Sequence, residues 1–134
     1  MKSLDTSVLV RYYTADDAAL YKAAVAQLTK EPMLFVPKSV VQELWWALTK
    51  TKKYEFSPEK VNRVITHLEG LRNIVIEDAE AVTAALVAQR DGMDFPDALH
   101  LASSGGCTEM LTFDAGFAKT AKRLNLKPPC VIPS

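Results

Sequence analysis

Cysteine is scarce. Cys107 and Cys130 are the only two in 134 residues, and they show no CxxC spacing. That excludes a disulfide scaffold, and two histidines are too few for a zinc site built with them. Unpatterned cysteines of this kind are expected as reduced thiols in a cytosolic chain. No sign of charge prevails either, since 16 basic residues cancel 16 acidic ones. Attraction to nucleic acid by overall charge is therefore weak, and contact with RNA or DNA would need a local patch or a bound metal. No stretch approaches the ~20 apolar residues of a membrane span. Met1-Lys2-Ser3-Leu4 runs straight into Asp5, leaving no room for the apolar core of a signal peptide. The expectation is a cytoplasmic protein without a membrane partner. Internal repeats, linkers and low-complexity tracts are also missing.

What is present is globular. Hydrophobic residues make up 49% and charged residues 24%, the balance of a folded domain rather than a disordered chain. A chain of this length buries roughly two-thirds of its unfolded surface, so it folds as one domain without a disulfide or structural zinc.

Short apolar runs alternate with amphipathic stretches. Strands are expected at 2–4, 33–36, 74–76, 110–113 and 131–132. Thr14 with Asp17 reads as a capping box for a helix over about 15–29. After Pro37, the residues Val40, Val41, Leu44, Trp45 and Leu48 mark one face of a second helix. Ser57-Pro58 reads as an N-cap followed by proline in the first turn. It is followed by the stripe Val61, Val64, Ile65, Leu68 and Leu71, with Gly70 near the stop. Asp78 opens an alanine-rich helix ended by Gly92, Asp94 opens the next, and 115–124 carries the last. Strands separated by crossover helices predict an α/β fold, with a central parallel sheet of about five short strands and helices on both faces.

Acidic residues fall at the ends of these elements. Asp5 and Asp114 directly follow strands, where ligands bind in open α/β sheets. Asp94 and Asp97 sit at a helix N-terminus, and Glu43 lies on the flank of an apolar stripe. Thr6, Ser7 and Thr112 add hydroxyls that orient carboxylates or hold water. Each acid also has an ordinary role: Asp5 and Asp114 as helix caps, Asp94 with Asp97 as a cap and its partner, Glu43 as a solvated helix residue. Gathered carboxylates repel one another and stay ionised together when a divalent cation joins them. A metal site acting on phosphoesters accounts for them jointly.

The order of the segments adds to this. Leu4-Asp5-Thr6-Ser7-Val8-Leu9-Val10-Arg11-Tyr12, then Val41-Gln42-Glu43-Leu44, then Asp94-Phe95-Pro96-Asp97-Ala98-Leu99-His100-Leu101-Ala102, then Thr112-Phe113-Asp114 resembles the PIN-domain family. Within it the chain is similar to the VapC-type toxins of bacterial toxin–antitoxin pairs. The resemblance covers essentially the whole chain and implies one PIN-like nuclease domain over residues 1–134. It further implies a Mg²⁺- or Mn²⁺-dependent endoribonuclease, homodimeric, held inactive by a VapB-type antitoxin. By position, Asp5, Glu43, Asp97 and Asp114 match the family's acidic set, with Asp94 in support. The position two after the first Asp is often Asn in this family and is Ser7 here. A serine still hydrogen-bonds a neighbouring carboxylate, so altered positioning is expected rather than lost activity.

On that resemblance, Asp5, Asp97 and Asp114 would ligate the ion and Glu43 would complete or support the shell. The reaction would be hydrolysis of an RNA phosphodiester by metal-activated water, leaving 5′-phosphate and 3′-hydroxyl ends. Arg11, close to Asp5, is a candidate phosphate contact. The basic runs Lys50, Lys52, Lys53 and Lys119, Lys122, Arg123, Lys127 either contact phosphates or are solvated cations at helix ends. Trp45 and Trp46 point about 100° apart. Trp45 fits the core stripe, and Trp46 belongs either to a dimer or antitoxin surface or to a second core contact.

A phosphatase of the HAD type would need an acid where Ser7 stands. A receiver domain would want paired acids near the first strand. The stronger rivals keep the fold: a non-catalytic PIN-type module that binds RNA or an antitoxin, or a PIN nuclease acting on structured DNA or precursor ribosomal RNA.

Overall fold

Asp5 has extended backbone angles (φ −85°, ψ 157°), and its carboxylate accepts from the Ser7 N–H. A helix therefore starts almost as soon as the first strand stops. The computed structural model describes residues 1–134. In chain order the elements are β1 (Lys2–Ser3), α1 (Thr6–Thr14), α2 (Ala18–Lys30), β2 (Leu34–Val36), α3 (Lys38–Lys50) and α4 (Pro58–Glu69). Then come β3 (Ile74–Ile76), α5 (Ala79–Arg90), α6 (Phe95–Ala102), β4 (Met110–Leu111), α7 (Ala115–Arg123) and β5 (Cys130–Val131). The chain divides into two compact units, Met1–Ala79 and Glu80–Ser134.

In the first unit, β2 is the middle strand of a parallel sheet ordered β1-β2-β3. Lys2 pairs with Leu34 and Ser3 with Phe35 on one side, and Leu34, Phe35 and Val36 pair with Ile74, Val75 and Ile76 on the other. α1 packs on α2 and α3, α3 on α4, and α4 on β3. Leu9, Val41, Leu44, Leu48, Val61, Ile65 and Leu68 are all fully buried. Each such side chain is stabilising by about 1.5–3 kcal/mol over exposure.

The α3 stripe is as the spacing predicts, with Val40, Val41, Leu44, Trp45 and Leu48 buried. Pro37 precedes α3 and offers no side-chain cap. The missing acceptor comes from far along the chain: the Lys38 N–H donates to Glu77 Oε1 at 2.8 Å. At the far end of α2, the Asn73 amide donates to the carbonyls of Leu28 and Glu31 at 2.8 and 3.0 Å. These two bonds satisfy helix-end groups that otherwise face water.

The second unit carries α6, α7 and a two-stranded parallel sheet, β4-β5, with Met110 opposite Cys130 and Leu111 opposite Val131. Phe95, Ala98, Leu99, Leu101 and Ala121 are buried. After α5 the chain turns through Gly92 at φ +112°, a region closed to most side chains. A Cβ there would also stand 3.1 Å from the Arg123 guanidinium.

Two expectations need correction. The five strands do lie where the apolar runs place them, and all pair in parallel, but as a three-stranded and a two-stranded sheet rather than one sheet of five. Apolar runs locate strands without naming their neighbours, and two-residue strands make few ladder bonds. The helix expected over 15–29 is α2, and it begins only at Ala18. Thr14 instead ends α1, its hydroxyl bonding the Val10 carbonyl at 2.7 Å. Asp17 is itself the cap, accepting from Leu20 N–H at 2.9 Å. A left-handed Ala15 (φ 52°) separates the helices, and alanine gives no sequence signal for that conformation.

Candidate active site

Each unit holds part of the expected acidic set. In the first, Asp5 leaves β1 at its carboxyl end. Its Oδ2 accepts from Ser7 Oγ at 2.7 Å and from Ser7 N at 3.3 Å. The Ser7 hydroxyl, with the backbone N–H groups, holds the Asp5 carboxyl below the usual range. Asp5 is thus ionised at neutral pH, and Ser7 makes the carboxylate contact expected of it. The adjacent Thr6 hydroxyl donates to Glu43 Oε2 at 3.3 Å, tying the acid on α3 to the first turn of α1.

In the second unit, Asp94 stands at the N-cap position of α6, yet its side chain makes no capping bond. Asp97 is in the first turn, half-buried. Burial pushes its carboxyl above the usual range, the negative charges of Asp94 and Asp114 push it further, and His100 acts weakly the other way. Asp114 caps α7, its Oδ1 accepting from Phe117 N at 3.0 Å. Its own N–H donates to Thr112 Oγ1 at 3.0 Å. The capping role open to Asp5 and Asp114 is therefore real, and it leaves a second oxygen on each carboxylate. Asp94 has no such role.

Within neither unit do three Asp, Glu, His or Cys side chains converge closely enough to hold an ion among themselves. The chemistry of the donors nonetheless suits a hard cation, since carboxylates and hydroxyls are the groups that Mg²⁺ and Mn²⁺ select.

Arg11, the candidate phosphate contact, lies in an ion-pair network in the first unit. Its guanidinium forms a two-pronged pair with Asp16 at 2.9 and 2.8 Å. The same carboxylate accepts from Tyr54 Oη at 2.6 Å and Thr14 Oγ1 at 3.0 Å, and pairs with Lys53 Nζ at 2.9 Å. Tyr54, then Lys53 and Arg11, hold the Asp16 carboxyl far below the usual range. This hub escaped the sequence reading. Lys119, Lys122 and Lys127 line a groove of 650 Å³ between α7 and β5. Cys107 and Cys130 are free thiols, and no helix is long and apolar enough to cross a membrane.

The PIN domain family pattern matches residues 3–123, and the chain belongs to that family. Curated proteins give no match. Among solved structures, the chain is similar to VapC20 of Mycobacterium tuberculosis, a sarcin-ricin loop cleaving toxin. That likeness has 18% identity over 89% of this chain and 94% of the other, with a TM-score of 0.44.

Proposed function

We propose that the protein is a Mg²⁺- or Mn²⁺-dependent endoribonuclease, the toxin of a VapBC-type pair, with Asp5, Glu43, Asp97 and Asp114 as its metal-holding set. The observation that carries this is the placement of Asp97, a family-matching carboxylate in the first turn of α6, half-buried and in the field of Asp94 and Asp114. Such a charge cluster disfavours its own ionisation unless a cation joins it. Membership in the PIN family and the order of the acidic segments support the same reading.

Ser7 holds Asp5 ionised and fixes its Oδ2, so the other oxygen is the one offered to an ion. Thr6 fixes Glu43 in the same way. Asp94 and Asp114 add the field that makes Asp97 prefer a cation to a neighbour. A divalent cation held by these carboxylates would supply acidified water and counter-charge for the phosphodiester oxygens. Water, not the ribose 2′-hydroxyl, attacks phosphorus and the 3′-oxygen leaves, so the products carry 5′-phosphate and 3′-hydroxyl ends. An RNA target places this action in the cytoplasm, with a VapB-type antitoxin and a second copy of the chain as partners.

The test is cleavage of total bacterial RNA by purified protein in Mg²⁺ or Mn²⁺, with chelator and Asp97→Asn as controls. Metal-dependent cleavage that Asp97→Asn lowers by at least about 100-fold, with the circular dichroism spectrum unchanged, is expected, since the loss of a ligand should match or exceed the 10–100-fold cost of losing its supporting group. RNA binding without cleavage in either metal would make the chain a binding module instead. Selective cleavage of structured DNA or precursor ribosomal RNA would keep the chemistry and change the substrate.

A further inference from the structure

Trp46 is 60% exposed while its neighbour Trp45 is 2% exposed. Adjacent helix residues point about 100° apart, so the core takes one indole and leaves the other outside. Trp46 does not stand alone on a flat surface. It lines a groove of 500 Å³ with Thr6, Ser39, Gln42, Glu43 and Ala47. Ser39, Glu43 and Ala47 follow one another at helical spacing, as do Ser39, Gln42 and Trp46, so one side of α3 forms most of the wall.

The lining chooses among occupants. No lysine or arginine lines the groove, and the Glu43 carboxylate does, so a phosphate finds repulsion there rather than a partner. An apolar protein side chain would cover the polar groups of Thr6, Ser39, Gln42 and Glu43 without satisfying them, which is costly. A nucleobase matches both halves of the surface. Its neutral face stacks on an indole, and its edge offers donors and acceptors to the Gln42 amide, which carries both. Glu43 is held to the start of α1 by Thr6, so a base seated on Trp46 has a fixed distance to a proposed catalytic acid.

We propose that Trp46 is the stacking platform for one base of a single-stranded RNA substrate, with Gln42 reading the base edge. The placement fixes which phosphodiester is presented for cleavage; it rests on the ribonuclease reading for the choice of RNA as the strand.

Poly(U) and poly(A) RNA are the probes. Affinity is measured on Asp97→Asn protein in chelator by fluorescence anisotropy of end-labelled RNA, with tryptophan quenching followed where Trp46 is kept, and cleavage on the otherwise wild-type protein in Mg²⁺ or Mn²⁺. Binding should quench the exposed indole, Trp46→Ala should weaken it about tenfold, and Trp46→Phe should keep most of the affinity, as stacking contacts do. In cleavage, Trp46→Ala should raise KM by a similar factor and leave kcat nearly unchanged. Trp46 is exposed, so its loss leaves the fold intact. Equal affinity and KM for wild type and Trp46→Ala would overturn the proposal, as would absence of any RNA binding. A Trp46→Ala protein that loses self-association but binds RNA normally would assign the indole to a protein interface. Quenching without cleavage would sink the ribonuclease reading and leave the platform standing; cleavage with unchanged KM would do the reverse.

Discussion

At the scale of single residues, two aspartates show how surroundings decide what a carboxylate does. Asp97 is raised above the usual carboxyl range, first by burial and then by like charges, so carrying its charge costs the fold stability when no cation is bound. Asp97→Asn is therefore expected to melt at a higher temperature than wild type in chelator at neutral pH. A lower Tm would mean that the repulsion is absent and that the residue serves packing. Asp16 is the opposite case, held far below the usual range by Tyr54, Lys53 and Arg11. A depressed carboxyl contributes stability that is fully present above its unfolded value of about 3.9 and is lost as pH falls below it. The stability advantage of wild type over Asp16→Asn should thus hold at neutral pH and shrink below about pH 4. Urea melts across that range check it, and an advantage independent of pH would refute the charge network. Asp5, Asp97 and Asp114 could be proposed from the sequence because they fall at element ends, and Glu43, inside α3, because its segment resembles the family's. The clasp on Asp16 could not, because Arg11, Lys53 and Tyr54 are brought together only by the fold.

At the scale of elements, local chemistry wrote some boundaries into the sequence and distant residues supplied others. Ser57 and Pro58 announce α4, and the Ser57 hydroxyl does accept from Lys60 N–H at 3.2 Å. The buried face of α3 was legible from its spacing alone. Its N-terminal cap was not, since Glu77 comes from beyond β3 to meet Lys38 N–H. Glu77→Ala should destabilise the protein by about 1 kcal/mol, the usual cost of losing a helix cap. A chemical-denaturation midpoint unchanged from wild type would show that water replaces the carboxylate without loss. The break between α1 and α2 was misread for a related reason. Both Thr14 and Asp17 do terminal work, but on different helices, and a capping box written across that gap has the same residues as two separate ends.

At the scale of the whole molecule, strand positions were legible from apolar runs and strand partners were not. The parallel pairing of β1, β2 and β3 brings the chain out of β1 directly into Asp5, while β4 leads through Thr112 into Asp114. The same device, a strand ending in an aspartate that starts a helix, thus appears in each unit. This repeated local geometry, combined with PIN family membership, is what makes a nuclease the best account of a chain whose net charge is zero. Affinity for RNA in such a chain has to come from its site rather than from its overall field. The most direct measurement is inducible expression of wild type and Asp97→Asn in a bacterial host, with newly formed 5′-phosphate RNA ends mapped across the transcriptome. Growth arrest with discrete new ends in wild type, and neither in the mutant, is the predicted result. The same ends in both strains, or none in wild type despite soluble expression, would contradict the account.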